Sequence, residues 1–443
     1  MDTAVEQALG RLWHDDHPWQ LLTLLTELDE RFGGHPGEAA AADVVADAFT
    51  EAGVDDVRQE PFAFPRWTRG ATELTVETGR GERSFEALAL PYSPACDVTG
   101  PLVDVGYGVP DAIDDADVEG AVVIANVETP ADAQRRVHRM EKAGHADEAG
   151  AEAFVFVNDN AGQLPPTGAL RFGDEAALPG IGVSKETGAW LREYADSDAT
   201  ATVTVDASTD PGESQNVRGT LGPDTDEAVL VLAHYDAHDV GEGALDNGCG
   251  VAVLLGAIRA LATLDLDCRV EVAAVGCEEI GLLGSAALAE RSDTDQVRAV
   301  VNVDGAGRYR DLRAYTHASE GIREVVESVA AEAGQPVGVV ETPHAYSDHW
   351  PFLRRGVPAV QLHSAPAADD GHWTRGWTHT SADTRDKVEV RNVREHAMLT
   401  TLLVRALTRE AVSVDLETVR DRLDDHGAEP GMRAAGVWPA DWD

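Results

Sequence analysis

Residues 228–250 read AVLVLAHYDAHDVGEGALDNGCG. Six apolar residues run into His234, Asp236 follows two places on, and Asp246 stands just ahead of Asn247-Gly248. The apolar run predicts a buried parallel strand, and VAVLLGAIRAL, after Gly248, predicts the helix that follows it. His234 and Asp236 then lie at the strand's carboxyl end, where open α/β sheets place their ligands. Residues two apart in an extended chain share a side. Asp236 is therefore placed to accept the second ring N–H of a histidine whose other nitrogen holds a cation. The stretch reads as half of a metal site.

Working outward, residues 217–412 alternate strand and helix patterns at 228–234, 247–263, 269–276, 281–290, 298–304, 312–316, 320–333, 358–363 and 388–408. That order predicts an α/β fold with a mixed, mostly parallel sheet flanked by helices. Residues 1–60 read as two amphipathic helices around the loop RFGGHPGE (31–38), then a strand near VRQEPFAF. Between 83 and 206 the pattern changes to short strands (PLVDVGYG, GAVVIANV, AEAFVFVND) and one helical stretch, ADAQRRVHRMEKAGHADEAGA, before LPGIGVSKETGAWLREY. That order resembles the protease-associated domain inserted in several exopeptidases. The expected organisation is a discontinuous domain, 1–82 and 207–443, around a small α+β insert at 83–206. The tail after Val412 reads as one short acidic helix.

Composition limits the possible partners. Hydrophobic residues are 43% of 443, enough for a large core. Against 79 acidic residues stand 35 basic ones, a formal charge of −44. Only Lys142, Lys185 and Lys387 are lysines. Such a surface suits a saline, halophilic interior, where a Debye length of about 3 Å at 1 M salt makes the self-repulsion tolerable. Nucleic acid and anionic membranes are disfavoured partners. The amino terminus shows neither a signal-peptide pattern nor a spanning apolar run. Cys96, Cys249, Cys268 and Cys277 have no CxxC spacing and suit a reduced compartment, so the expectation is a cytoplasmic protein with packing cysteines.

Four later positions complete what His234 begins. CRVEVAAVGC runs into Glu278-Glu279, VRAVVNVD ends on Asp304, and THTSADTRDKV places His379 ahead of the last long helix. Imidazoles and carboxylates together suit zinc. One bridging carboxylate, Asp246, plus an acid and a histidine per ion gives two three-ligand sets: His234 with Asp304, and Glu279 with His379. Glu278 is left over, where a general base must stand. His372 and His363 compete with His379, and Asp383 is expected to hold its loop. Asp348 and His349, in SDHWPF, are candidate pocket residues. His238, Asp239 and Glu242 read as a solvated loop.

HYDAHD…ALDNGCG, CEEIGLLGS, NVDGAG, SDHWPFLRRGVPA and THTSADTRDKV, in that order, resemble metallopeptidase family twenty-eight, the co-catalytic zinc exopeptidases. The resemblance covers about 217–388, with RFGGHPGE and the insert also fitting. It implies two Zn2+ ions on His234, Asp246, Glu279, Asp304 and His379, a base at Glu278, a supporting role for Asp236, a cis peptide after Asp246, and a peptide substrate. Many relatives carry tyrosine before the last histidine; here Thr378 stands there, leaving Tyr346 as the candidate oxyanion partner. An aminopeptidase is expected, with a carboxypeptidase or dipeptidase as the alternative, because Arg308, Arg310, Arg354 and Arg355 are placed to grip a carboxylate. A one-zinc aminoacyl cyclase and a non-catalytic receptor-like binder stand further off. Oligomeric state is not readable.

Overall fold

A computed structural model describes every residue except 1, 131, 132, 134, 367–374 and 443. His372 lies outside the described residues. The chain forms two compact units: Met1–Ala63 with Glu213–Gly371 and Asp383–His426, and Phe64–Gly212 with His372–Ala382 and Gly427–Asp443. The expected borders at 82/83 and 206/207 thus move to 63/64 and 212/213. Both new borders fall inside single long strands, Asp55–Thr78 and Thr200–Leu221. Pro65 in the first and Asp210-Pro211-Gly212 in the second stand at these borders, yet each strand runs on through them, so hydropathy could not mark the border.

In the first unit the strands lie in the order Gly338–Val340, Asp311–Tyr315, Ala359–Ala365, Val297–Val303, Ala228–His234, Arg269–Val275, Thr200–Leu221. The middle four run parallel. Asp311–Tyr315 and the 217–221 end of Thr200–Leu221 flank them antiparallel. All seven residues of Ala228–His234 are buried, which explains the unbroken apolar run. Helix Cys249–Leu261 packs against the sheet, the amino-terminal helices and Val390–Leu407. The stretch Ala244–Leu261 is long and apolar enough to cross a membrane, yet 94% of it is buried in the unit, as a core helix is.

Residues 1–51 form three helices rather than two: Thr3–Trp13, His17–Thr26 and Pro36–Glu51. Pro18 cannot donate into a preceding turn, and it sits in the first turn of the second helix. The tail also holds two helices, Leu416–Asp425 and Glu429–Ala435, the second assigned to the other unit.

The second unit carries parallel strands Val122–Asn126, Ala153–Val157 and Gly180–Val183, with Leu102–Asp104 parallel to the first of them. Helices Arg139–Glu148 and Lys185–Ala195 accompany this sheet. A separate apolar core, including Phe154 and Phe156, fills it. It is a small α+β body, as expected for the insert.

Candidate metal centre

Parallel register brings the site together in the first unit. His234 pairs with Val275, and Asn302 with Leu232, so His234, Asp304 and the Cys277-Glu278-Glu279 turn all leave the sheet at one edge. His234 Nε2 lies 3.4 Å from Asp246 Oδ1 and 3.9 Å from Asp304 Oδ1. Its Nδ1 faces Asp236, 3.3 Å from the backbone oxygen and 3.4 Å from Oδ1. The Asp236 carboxylate does more than was expected of it. Its two oxygens accept the backbone N–H groups of Glu278 and Glu279 at 3.0 and 3.1 Å, fixing the turn that carries both acids.

Each carboxylate has its own support. Asp304 Oδ2 accepts from Ser347 Oγ at 2.6 Å and Gln361 Nε2 at 3.0 Å, which leaves Oδ1 toward His234. The peptide Asp246–Asn247 is cis, as the resemblance implied. The Asn247 amide then ties that turn to the Asp304 strand, donating to Val303 O at 2.8 Å and accepting from Gly305 N at 3.1 Å. Asp383, expected to hold the His379 loop, instead holds this turn, accepting from Leu245 N at 2.6 Å and Asp246 N at 3.0 Å.

The electrostatics are those of a cation trap. Burial disfavours charge on His234, but the carboxylates of Glu278, Asp236, Asp246 and Asp304 overcome it and hold its pKa well above the histidine range. Burial, with Glu279, Asp348 and Asp304, holds Glu278 well above the usual carboxylate range. Burial also pushes Asp348 up to about 7. Asp304 resists its burial through the facing His234 ring and the Arg308 guanidinium and falls to about 2.

Several placements differ from expectation. His238 is not on a solvated loop: it is 5% exposed, and its Nε2 lies 3.0 Å from Glu279 Oε2. The alternation HYDAHD could have shown this, since His238 repeats the spacing from His234 to Asp236. Glu242 accepts from Arg385 N at 2.6 Å. His363, the rival of His379, has its Nδ1 3.0 Å from the Asp304 carbonyl, and burial lowers its pKa. His349 is fully buried against His317, whereas Tyr346 is only half-buried. Cys249 and Cys277 are buried thiols, pushed up to about 12 and well above the thiol range respectively, so they pack, as expected.

His379 belongs to the second unit. There its backbone oxygen accepts from Thr167 N at 2.9 Å, its Nδ1 faces Thr167 O at 3.3 Å, and Arg375 Nη1 lies 2.8 Å from its Nε2. The Thr378 hydroxyl donates to Arg375 O at 3.0 Å.

Two supporting residues escaped the sequence reading, and a third was expected at a substrate carboxylate instead. Buried Arg31 donates to the carbonyls of Tyr235, Glu242 and Gly243 at 2.6–2.8 Å, with its pKa lowered to about 10 by burial. Buried Glu38 accepts from Gly34 N, Ser214 Oγ and Cys277 N, and burial raises it to about 8. Both lie in RFGGHPGE, whose charged ends inside an apolar context were the available signal. Arg308 is the third. Its Nε donates to Leu245 O at 2.5 Å, and its Nη2 lies beside the Asp246 and Asp304 carboxylates.

The donor set fits a divalent cation. His234 Nε2 is buried without a hydrogen-bond partner and points between two carboxylate oxygens, while its other nitrogen is backed by Asp236.

Residues 216–404 match Peptidase family M28, and residues 98–191 match the PA domain. Aminopeptidase YwaD of Bacillus subtilis is 25% identical over 406 residues, 88% of this chain and 84% of its own. A solved zinc aminopeptidase from Bacillus subtilis superposes with a TM-score of 0.70 at 26% identity, covering 88% of this chain and 94% of that one. The Peptidase M28 precursor of Shewanella amazonensis shares the fold, with a TM-score of 0.76 at 21% identity over 93% and 97% of the two chains.

Proposed function

We propose, from the premise that this chain is a metallopeptidase with a Peptidase family M28 domain at 216–404 and a PA domain at 98–191, that it is an aminopeptidase holding two zinc ions. The observation that carries the reading is the approach of His234, Asp246 and Asp304 to one point, beside a base whose proton affinity is raised. Asp246 would be the shared ligand, His234 and Asp304 would hold one ion, and Glu279 would hold the other. His379 enters on the THTSADTRDKV motif. Ions bound there supply Lewis acidity to a carbonyl and acidify a water.

The chain's own residues do the rest. Glu278, held above the usual carboxylate range by burial, takes a proton from the attacking water and delivers it to the leaving amine. Asp236 keeps Glu278 and Glu279 oriented through their backbone N–H groups. Asp348, at about 7, shares the negative field that meets a substrate ammonium.

Polarity follows from the charges left over. Arg308 is engaged by Asp246, Asp304 and Leu245 O, so it is not offered to a substrate carboxylate. Arg355 is likewise drawn to Pro351 O at 2.5 Å. The surplus of carboxylates favours binding a free α-ammonium. The deciding assay sets aminoacyl-p-nitroanilides beside N-blocked dipeptides, in molar salt suited to a −44 chain, with and without chelator. Release from the free-amine series alone, abolished by chelator, is expected; turnover of the blocked series would make it a carboxypeptidase. One ion per chain with cyclised products would favour the cyclase.

A further inference from the structure

A second group of imidazoles lies in the first unit, apart from the carboxylate site. His317 follows strand Asp311–Tyr315, His344 lies in the turn after Gly338–Val340, and His349 precedes the short helix Trp350–Leu353. One ring nitrogen from each comes within 4.8 Å of the other two. His317 and His349 are 0% exposed, while His344 is half-buried and opens the group to solvent.

The hydrogen bonding leaves lone pairs inside. Neither nitrogen of His317 has a hydrogen-bond partner. A neutral imidazole carries an N–H, and burying it unbonded costs roughly 1–3 kcal/mol. His349 Nε2 lies 2.9 Å from His344 O, so it carries the proton, and Nδ1 is left as an unpartnered acceptor. That is the tautomer a backbone carbonyl imposes on a ligating histidine. His344 Nδ1 takes the N–H of Tyr346 at 3.3 Å, and one of its ring nitrogens comes within 4.8 Å of those of His317 and His349. Burial and the neighbouring rings hold His317 well below the usual histidine range, and burial takes His349 to about 3, so both stay neutral.

The backbone holds His317 in place at a cost. Its φ is 48° and that of Ala318 is 64°, left-handed values for side-chain-bearing residues. Hydrogen bonds from Thr316 N to Val340 O and Ala318 N to Glu341 O hold it on both sides. The rings of His317 and His349 stack at 3.9 Å and 19°, and those of His344 and His317 lie 5.2 Å apart. Imidazole lone pairs lie in the ring plane, so an ion at about 2.0–2.1 Å from each nitrogen requires the stacked His317 and His349 rings to turn toward one another.

We propose that His317, His344 and His349 form a second binding site for a borderline transition-metal dication such as Zn2+, Ni2+ or Cu2+, separate from the carboxylate site. The donors are imidazole alone, which selects such ions over Mg2+ or Ca2+. On a chain with 79 acidic residues that choice matters, because carboxylate sites accept hard ions as well. His344 is the entry, and a water or anion completes the coordination.

The test uses the full chain, stripped of metal, re-equilibrated with Zn2+ alone and desalted before counting metal per chain. His344→Ala is compared with wild type, both natively and in a His234→Ala background. The expected result is one ion fewer in each His344→Ala protein, with aminopeptidase turnover of the His344→Ala single variant within about twofold of wild type. Ni2+ should raise the melting temperature of His234→Ala more than that of the His234→Ala, His344→Ala double variant. His317→Phe, if it folds, should show the same loss. Equal counts with and without His344, the result of a water-filled pocket, would overturn the proposal.

Discussion

Arg308 Nη2 lies 2.7 Å from Asp246 Oδ1, the same oxygen that His234 Nε2 faces at 3.4 Å. The next carboxylate, Asp304, is 3.5 Å from that guanidinium nitrogen. The chain therefore supplies its own cation at the point where the three proposed ligands of one ion meet. Its pKa stays far above neutrality despite burial, held up by those carboxylates.

Arg308 should compete with one of the two ions. At about 4 Å and an effective dielectric between water and protein, a unit charge is worth on the order of 1–4 kcal/mol. Arg308→Met is expected to tighten the weaker ion by tenfold or more in a chelator-competition titration of the metal-free protein. It should also lower kcat, because Leu245 O loses its tether. An unchanged affinity would show that the guanidinium and the ion do not compete.

Glu278→Gln should separate proton transfer from metal binding. The amide keeps the size of the carboxyl and loses its basicity, and general-base removal costs about 10²–10⁴-fold in rate. The expected result is that loss in kcat with unchanged metal content and little change in KM. Metal loss in Glu278→Gln would make it a ligand rather than the base.

The proposed second ion has two candidate histidines, His379 by motif and His238 by its 3.0 Å approach to Glu279. His379→Ala is expected to lower zinc from two to one per chain. His238→Ala should keep both ions and weaken one, since His238 acts on Glu279. The reverse pattern, measured by metal analysis, would exchange their roles.

Much of this was legible in the chain because it depends on local pattern. The His234 strand was readable to the residue, since a strand buried on both faces is continuously apolar. Glu278-Glu279 and Asp304 could be placed because each ends such a run. Arg31, Glu38, Asn247 and Arg308 could not. Each acts through backbone groups up to 239 positions away, and nothing in hydropathy says which loops will meet. His238 was misread for a related reason: a polar loop in sequence becomes interior once Phe32 stacks on it, with ring centroids 5.9 Å apart. Glu242 gave no local sign of binding Arg385 N either.

His396 makes the last expectation, and it concerns stability. Its Nδ1 accepts from Gly307 N at 2.8 Å and its Nε2 faces Arg310 O at 3.0 Å, so one imidazole brackets the loop that carries Arg308. Accepting at Nδ1 requires the neutral ring, and burial lowers the pKa to about 4. The unfolded chain protonates near pH 6.5, so below that it binds the proton that the folded state refuses. The contribution is therefore complete above about pH 6.5 and is lost as pH falls toward 4, amounting to about 3 kcal/mol for a shift of that size. Denaturant unfolding at stepped pH should show wild type losing stability across that window faster than His396→Gln. That variant should start less stable at pH 7, by about 1–3 kcal/mol, because it leaves Gly307 N or Arg310 O without its bond. Parallel curves for the two proteins would show that His396 is already protonated in the folded state, which its bond from Gly307 N does not allow.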